Sequence, residues 1–294
     1  MLNRHAELTA LLRTLRLPTM ADTFWDVALK ATKAGLSHEA FLYELVQLET
    51  ESRSQRRVER LLRESHLPRD KTFRTLALDL FPPLIRQQIA RLQDGQFIHQ
   101  AMNVVAVGRP GTGKSHLLAA LGHALIAQGQ PVLWTSTATL MQRLLAAKRD
   151  LRLPQELTKL DRYACLILDD IGYVQHDQDE MEVLFTVLSE RYERRSTLIS
   201  TNLVFSEWTR IFKNPMTTVA AIDRVVHHSV ILDLMEVESY RVKAATTQRQ
   251  LETPDGPATA EPPAAPENNT SVRTDNSGTT GNSNAHEGTF LVDV

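Results

Sequence analysis

A chain of 294 residues with 42% hydrophobic and 23% charged residues can bury a sizeable core as one large or two modest domains, which excludes a wholly disordered protein. The formal net charge is −2, but residues from Ala245 onward hold two basic side chains, Arg249 and Arg273, against seven acidic ones, so 1–244 carries 31 basic and 28 acidic residues, a net of +3 that permits a nucleic-acid partner without demanding one. The single cysteine, Cys165, excludes an intramolecular disulfide and favours a reducing, cytoplasmic setting; with no leader-like N-terminus and no run near the ~18 apolar residues of a membrane span, neither membrane nor secretion is expected.

Taken in chain order, 1–66 reads as a small helical module. Leu8, Leu11, Leu12 and Leu15 share one helical face; Phe24, Trp25, Ala28 and Leu29 follow the break at Pro18; a third helix opens near Ser37 as cap and carries Leu42, Leu45, Val46 and Leu48. Its continuation is basic, with eight Lys/Arg against three Asp/Glu between Arg53 and Arg74, which suits either a solvated face or a DNA or partner contact. Pro68 ends the helix, 69–82 reads as an irregular connector, and Pro82 and Pro83 open a helix closed by Gly95. From Asn103 on, strands and helices alternate, with strands expected at 103–107, 131–136, 164–170, 196–201 and 229–234, and helices after the first strand, at 139–150, 180–195 and 219–226. That alternation predicts a parallel five-stranded sheet with flanking helices over 67–244. Beyond it, 245–294 is rich in Pro, Ala, Thr, Asn, Ser and Gly and is expected to be a disordered tail.

The most informative stretch is Gly108 to Ser115, GRPGTGKS, which fits the phosphate-loop pattern and lies between a β-branched run and a helical one. Glycines at 108, 111 and 113 allow positive φ and remove side chains, so that the backbone of Gly108, Arg109, Pro110, Gly111, Thr112, Gly113 and the following residues to His116 can wrap a polyphosphate, with every one of them but the proline able to donate an N–H. Lys114 adds a charge for the β and γ phosphates of ATP, and the Ser115 hydroxyl is placed to ligate Mg²⁺. A plain glycine-rich turn with a surface lysine is the competing reading.

Asp169 and Asp170 end an apolar strand of the same sheet, at the edge where the loop lies. Asp169 would hold Mg²⁺ through water, and Asp170 would polarise the attacking water. Asn202, at the end of a strand lying between those two, would orient that water, or else make an Asx-turn. Arg224, on the helix before the last strand, would reach a neighbouring subunit's nucleotide, or else pair with Asp223 or Glu236. His227 and His228 find no Cys or carboxylate spacing that completes a metal site and read as core or surface histidines. Lys148, Arg149, Arg152 and Lys159 cluster after the second strand, at the sheet rim, as a solvated loop or a duplex contact; the adenine is expected near Phe97 and Ile98.

The set GRPGTGKSHLLAALG, CLILDDIGY, RYERRSTLISTN and AAIDRVVHHS resembles the AAA+ ATPases of the initiator and loader branch, and the helical stretch LRLPTMADTFWDVAL extends the likeness to the IstB family of transposition helpers over about residues 8–244. The resemblance implies an AAA+ P-loop fold in 67–244 behind an oligomerisation or partner domain in 1–66. It implies Walker A roles for Lys114 and Ser115, Walker B roles for Asp169 and Asp170, sensor I for Asn202 and an arginine finger at Arg224, with Asp170 standing where typical members have Glu. The activity implied is ATP hydrolysis by a homo-oligomer, ring or helix, on double-stranded DNA without sequence preference, recruiting a partner transposase. The alternative is a DnaC-like loader gripping a replicative helicase, and from another class, a small-molecule kinase.

Overall fold

Five short, β-branched or apolar segments pair side by side as a wholly parallel sheet in the order β2-β3-β4-β1-β5, where β1 is Asn103–Val107, β2 Val132–Ser136, β3 Cys165–Asp169, β4 Ser196–Thr201 and β5 Ser229–Asp233. The structure is a computed structural model that describes residues 2–172, 178–212 and 215–240, all within one compact unit spanning Met1–Leu251. The expected tail, 245–294, lies outside the described residues. Strands β1 and β4 are buried throughout, as a central pair covered on both faces requires.

The two-residue period sorts the core into two layers. Val104 and Ala106 of β1 and Leu198 of β4 face a cluster with Leu117, Leu118, Leu121 and Leu125 of α5 (Lys114–Ala127). Val105, Val107 and Ile199 face the other way, onto side chains of α6 (Thr137–Arg149), α7 (Leu153–Asp161), α8 (Gln178–Arg191) and α10 (Pro215–Val226), with the short α9 (Thr209–Phe212) beside them. Helix α5 comes close to the sheet because it has Gly122 where a Cβ would press on Ile167 and Leu67. The crossover from β2 to β3 thus holds two helices where one was expected; Pro154, at the first turn of α7, starts it as N-terminal prolines do.

This second helix also changes the reading of the basic cluster. Helix α6, capped at the sheet rim by Ser136, carries Lys148 and Arg149 about 20 Å away from that rim. Lys148 pairs with Asp179 and Glu182, Arg152 with Asp150, and Lys159 with Glu156. The cluster is therefore neither at the rim nor a loop of free cations.

Ahead of the sheet, α1 (Leu2–Thr14), α2 (Pro18–Ala34) and α3 (His38–Glu64) pack around Met20, Phe24, Val27 and Leu45. The apolar faces of these helices are partly outward: Leu8, Leu11, Leu15, Trp25 and Leu29 are all exposed, and Leu12 of the first stripe packs inside. Helix α3 continues into the α/β layer, where Leu61 joins the α5 core cluster and the Trp134 N–H of edge strand β2 donates to Ser65 O at 2.8 Å.

Helix α2 has no side-chain cap from its own N-cap residue, Leu17. Glu49, 4% exposed on α3, supplies one: its Oε2 accepts the Met20 N–H at 3.1 Å, while Oε1 accepts from Arg53 and Arg56 at 3.3 and 3.4 Å. A carboxylate at a helix N-terminus also complements the helix dipole. The arginines are half exposed and add little, so the loss in Glu49→Ala is dominated by the buried, unpaired N–H. Chemical denaturation should show a destabilisation of about 2 kcal/mol; unchanged stability would mean the contact is incidental.

Candidate nucleotide-binding site

β1 delivers the chain to the C-terminal edge of the sheet, where Gly108 N–H donates to Thr201 O at 3.1 Å and the loop turns into α5. Gly111 and Gly113 take φ of 87° and 89°, the left-handed backbone open to glycine. Gly108 does not; it is there for space, since a Cβ would lie 2.8 Å from Thr112 Oγ1 and 2.9 Å from Leu234 O. Arg109 and Pro110 are exposed at the loop tip, whereas Thr112 is buried and donates its hydroxyl to Arg109 O at 2.9 Å, bracing the turn. The Tyr240 N–H closes on Gly111 O at 3.0 Å from the far side.

Lys114 is buried at the first turn of α5, and its Nζ donates to Gly108 O at 2.8 Å and Arg109 O at 2.9 Å. The ammonium is thereby folded back over the loop. Ser115 Oγ donates to Asp169 Oδ1 at 2.7 Å. Asp169 Oδ1 also accepts from Ser200 Oγ at 2.6 Å, and Ser200 Oγ accepts the Asp170 N–H at 2.8 Å. Register explains this triangle: Leu168 pairs with Ile199, so the next residues along, Asp169 and Ser200, meet at the same edge. Ser200 is a site residue that the motifs do not mark; the parity of two adjacent parallel strands is the signal that would have found it.

Asp170 sits just past the strand with φ 66°, a left-handed conformation that aspartate tolerates better than most residues. Partial burial raises its carboxyl above the usual carboxylate range; Asp169 adds to the rise, and the Lys114 ammonium opposes it. Asn202 lies half-buried at the end of β4, with Oδ1 buried and unpartnered among the described residues. Gly172 makes room for it, since a Cβ there would collide with that oxygen. Loop, Ser115, Asp169, Asp170 and Asn202 are therefore on one edge.

Arg224 is not on that edge. Asn103, at the start of β1, donates through Nδ2 to the carbonyls of Arg224 and Val225 at 3.5 and 3.3 Å, so Arg224 lies at the N-terminal end of the strand whose C-terminal end carries the loop. Five residues of strand put about 16 Å between them. Its guanidinium stacks 4.8 Å over the Phe185 ring and donates to Ala220 O at 3.0 Å, in place of the alternative pairing with Asp223 or Glu236.

The expected connector is an ordered wall. His116 Nε2 meets Thr72 O and Thr75 Oγ1, both at 3.1 Å, and His123 Nε2 meets Pro68 O at 2.9 Å, fastening it to α5. Between connector and loop lies a cavity of about 450 Å³, with Leu76, Leu80, Phe81 and Tyr240 among its walls and Gly111 to His116 along its floor. Its size and mixed lining suit a nucleotide. Phe97 and Ile98, near which the adenine is expected, belong to the core cluster and are absent from its lining.

A phosphate loop entering a helix, with a serine hydroxyl held on a strand-end aspartate of a parallel sheet ordered β2-β3-β4-β1-β5, defines a nucleotide-binding protein of the AAA+ fold. The sequence profile of the IstB-like ATP binding protein family matches residues 10–248, and the chain belongs to that family. It is 44% identical over 241 residues to an insertion sequence ATP-binding protein of Sinorhizobium fredii, covering 82% of this chain and 80% of that one. An IS21 insertion sequence ATP-binding protein of Pseudomonas aeruginosa is 33% identical over 237 residues, covering 81% and 89%. Among solved structures, a replication initiator, DnaA bound to AMPPCP and single-stranded DNA, superposes with a TM-score of 0.50 at 14% identity over 64% of this chain and 56% of that one, a likeness of fold alone.

The raised Asp170 carboxyl sets a pH signature. The folded state disfavours its ionised form, so the cost is absent below the unfolded-state value, about 3.9, and complete once pH passes the raised folded-state value. Asp170→Asn should therefore raise the unfolding temperature at neutral pH, the difference shrinking as pH falls toward the ordinary aspartate value. Thermal melts across pH check this; a pH-independent difference would contradict it.

Proposed function

We propose that the protein is an ATP-hydrolysing, DNA-binding helper of transposition that assembles with copies of itself on duplex DNA and recruits a transposase. What carries the reading is the nucleotide edge itself: buried Lys114 bent over its loop, and Ser115 held on Asp169 by a 2.7 Å hydrogen bond. Relatives encoded by insertion sequences favour transposition over helicase loading.

The residues fit ATP and Mg²⁺. Loop N–H groups and Lys114 would hold the polyphosphate; the Ser115 hydroxyl and the Asp169 carboxylate are hard oxygen donors of the kind Mg²⁺ takes alongside water. Bound Mg²⁺ supplies charge neutralisation at the β and γ phosphates. Asp170 accepts the proton of the attacking water, and partial burial, with Asp169 beside it, makes its carboxylate a stronger base than an exposed aspartate. Asn202 turns its unpartnered oxygen to that water. Arg224, on the opposite end of β1 from its own loop, is too far to serve it, which supports a role in stabilising charge on a neighbour's nucleotide.

DNA contact is supported by the helical module. Arg13, Arg16, Arg53 and Arg56 line one shallow groove, and Arg53, Arg56, Arg57 and Arg60 an adjoining one. A continuous run of guanidinium groups suits phosphates of any sequence. The exposed apolar side chains of α1 and α2, Leu8, Leu11, Leu15 and Trp25, support self-assembly or transposase docking through the same module.

The test measures ATP turnover with and without duplex DNA for wild type, Lys114→Ala and Arg224→Ala. Each variant alone should lose at least a hundredfold; mixing them should restore part of the turnover, since one protomer can lend its arginine to another's intact loop. Full activity of Arg224→Ala alone, or DNA retention identical with ATP and ADP, would overturn the mechanism.

A further inference from the structure

The exit of α8 and the turn joining α10 to β5 bring together Glu193, His227 and His228, residues that sequence spacing alone does not connect. One ligand atom from each lies within 4.8 Å of the other two. The imidazoles stand edge to face with centroids 4.2 Å apart, and His228 Nε2 is 3.5 Å from Glu193 Oε1. Tyr192 OH meets His227 Nδ1 at 2.9 Å, which fixes that ring and leaves its Nε2 for a ligand.

Both halves rest on rigid supports. The His228 carbonyl accepts the Asn103 N–H of β1 at 2.7 Å, and the His227 N–H is held by Asp223 O at 2.9 Å. On the other side Arg191, 3% exposed, ends α8 by donating to the carbonyls of Leu160, Tyr163 and Ser196 and to Thr197 Oγ1. Glu193 then takes φ 56°, which turns its side chain back toward the histidines. Two imidazoles and a carboxylate, with a phenol behind one imidazole, form a donor set of the kind that takes Zn²⁺ with water in the remaining position. Mg²⁺, which asks for an octahedron of oxygens, is a poor match.

We propose that Glu193, His227 and His228 form a surface Zn²⁺ site, separate from the nucleotide edge and three residues beyond Arg224, where a bound ion would pin the turn that follows the arginine's helix. This does not depend on the reading of the nucleotide site, because the ion is scored directly. The experiment is titration of metal-stripped, tag-free full-length protein with Zn²⁺ against a chromophoric chelator, in excess Mg²⁺. Wild type should take up about one equivalent that Mg²⁺ does not displace. Tyr192→Phe should weaken it about tenfold to a hundredfold, as loss of a ring-orienting partner does, and His228→Ala and Glu193→Gln should abolish it. Glu193, His227 and His228 are exposed and Tyr192→Phe removes only a hydroxyl, so melting temperatures in chelator should be unchanged. No uptake by wild type, or uptake of equal affinity in His227→Ala/His228→Ala, would overturn the site.

Discussion

Three pieces of chain depend on one carboxylate oxygen. Asp169 Oδ1 accepts the hydroxyls of Ser115 and Ser200, and Ser200 in turn holds the backbone of Asp170. The first residue after the phosphate-loop lysine, the end of β3 and the end of β4 are therefore fixed relative to one another by hydrogen bonds to a charged acceptor, about twice as strong as neutral ones. Removing that carboxylate would leave the Ser115 and Ser200 hydroxyls without their shared acceptor. The hydroxyl and carboxylate that suit a magnesium ion are thus already neighbours, and the backbone of Asp170 beside them is held by the same serine.

A second polar clamp works at the other end of β1. Asn103 accepts the Thr197 N–H of β4 at 2.9 Å and donates to the last carbonyls of α10, so that the helix carrying Arg224 is tied to the central strands. One strand thus has phosphate-handling groups at its C-terminal end and an arginine at its N-terminal end. A single protomer cannot bring the two together, so the proposed role of Arg224 requires a second copy of the chain.

The phosphate loop, the strand-end acids and the alternation of strands and helices were legible in the sequence because each is local: a glycine pattern, a β-branched run, a period. Ser200, the cavity wall at Leu76 to Phe81 and the meeting of Glu193 with His227 were not, because register, a crossover and a sheet order bring them together. Helix α7 was missed because Lys159, which lies inside it and pairs with Glu156 one turn earlier, was read together with Lys148, Arg149 and Arg152 as one basic stretch. The outward turn of Leu8, Leu11 and Leu15 breaks the rule that an apolar stripe faces inward, as an interaction surface does.

The most direct test of this account is calorimetric titration of ATP into the protein with and without Mg²⁺, comparing wild type with Asp169→Asn. If the carboxylate organises the edge as described, Mg²⁺ tightens binding to the wild type and this gain disappears in the variant while metal-free nucleotide binding persists. An equal gain in both proteins would show that Asp169 is not what holds the site together.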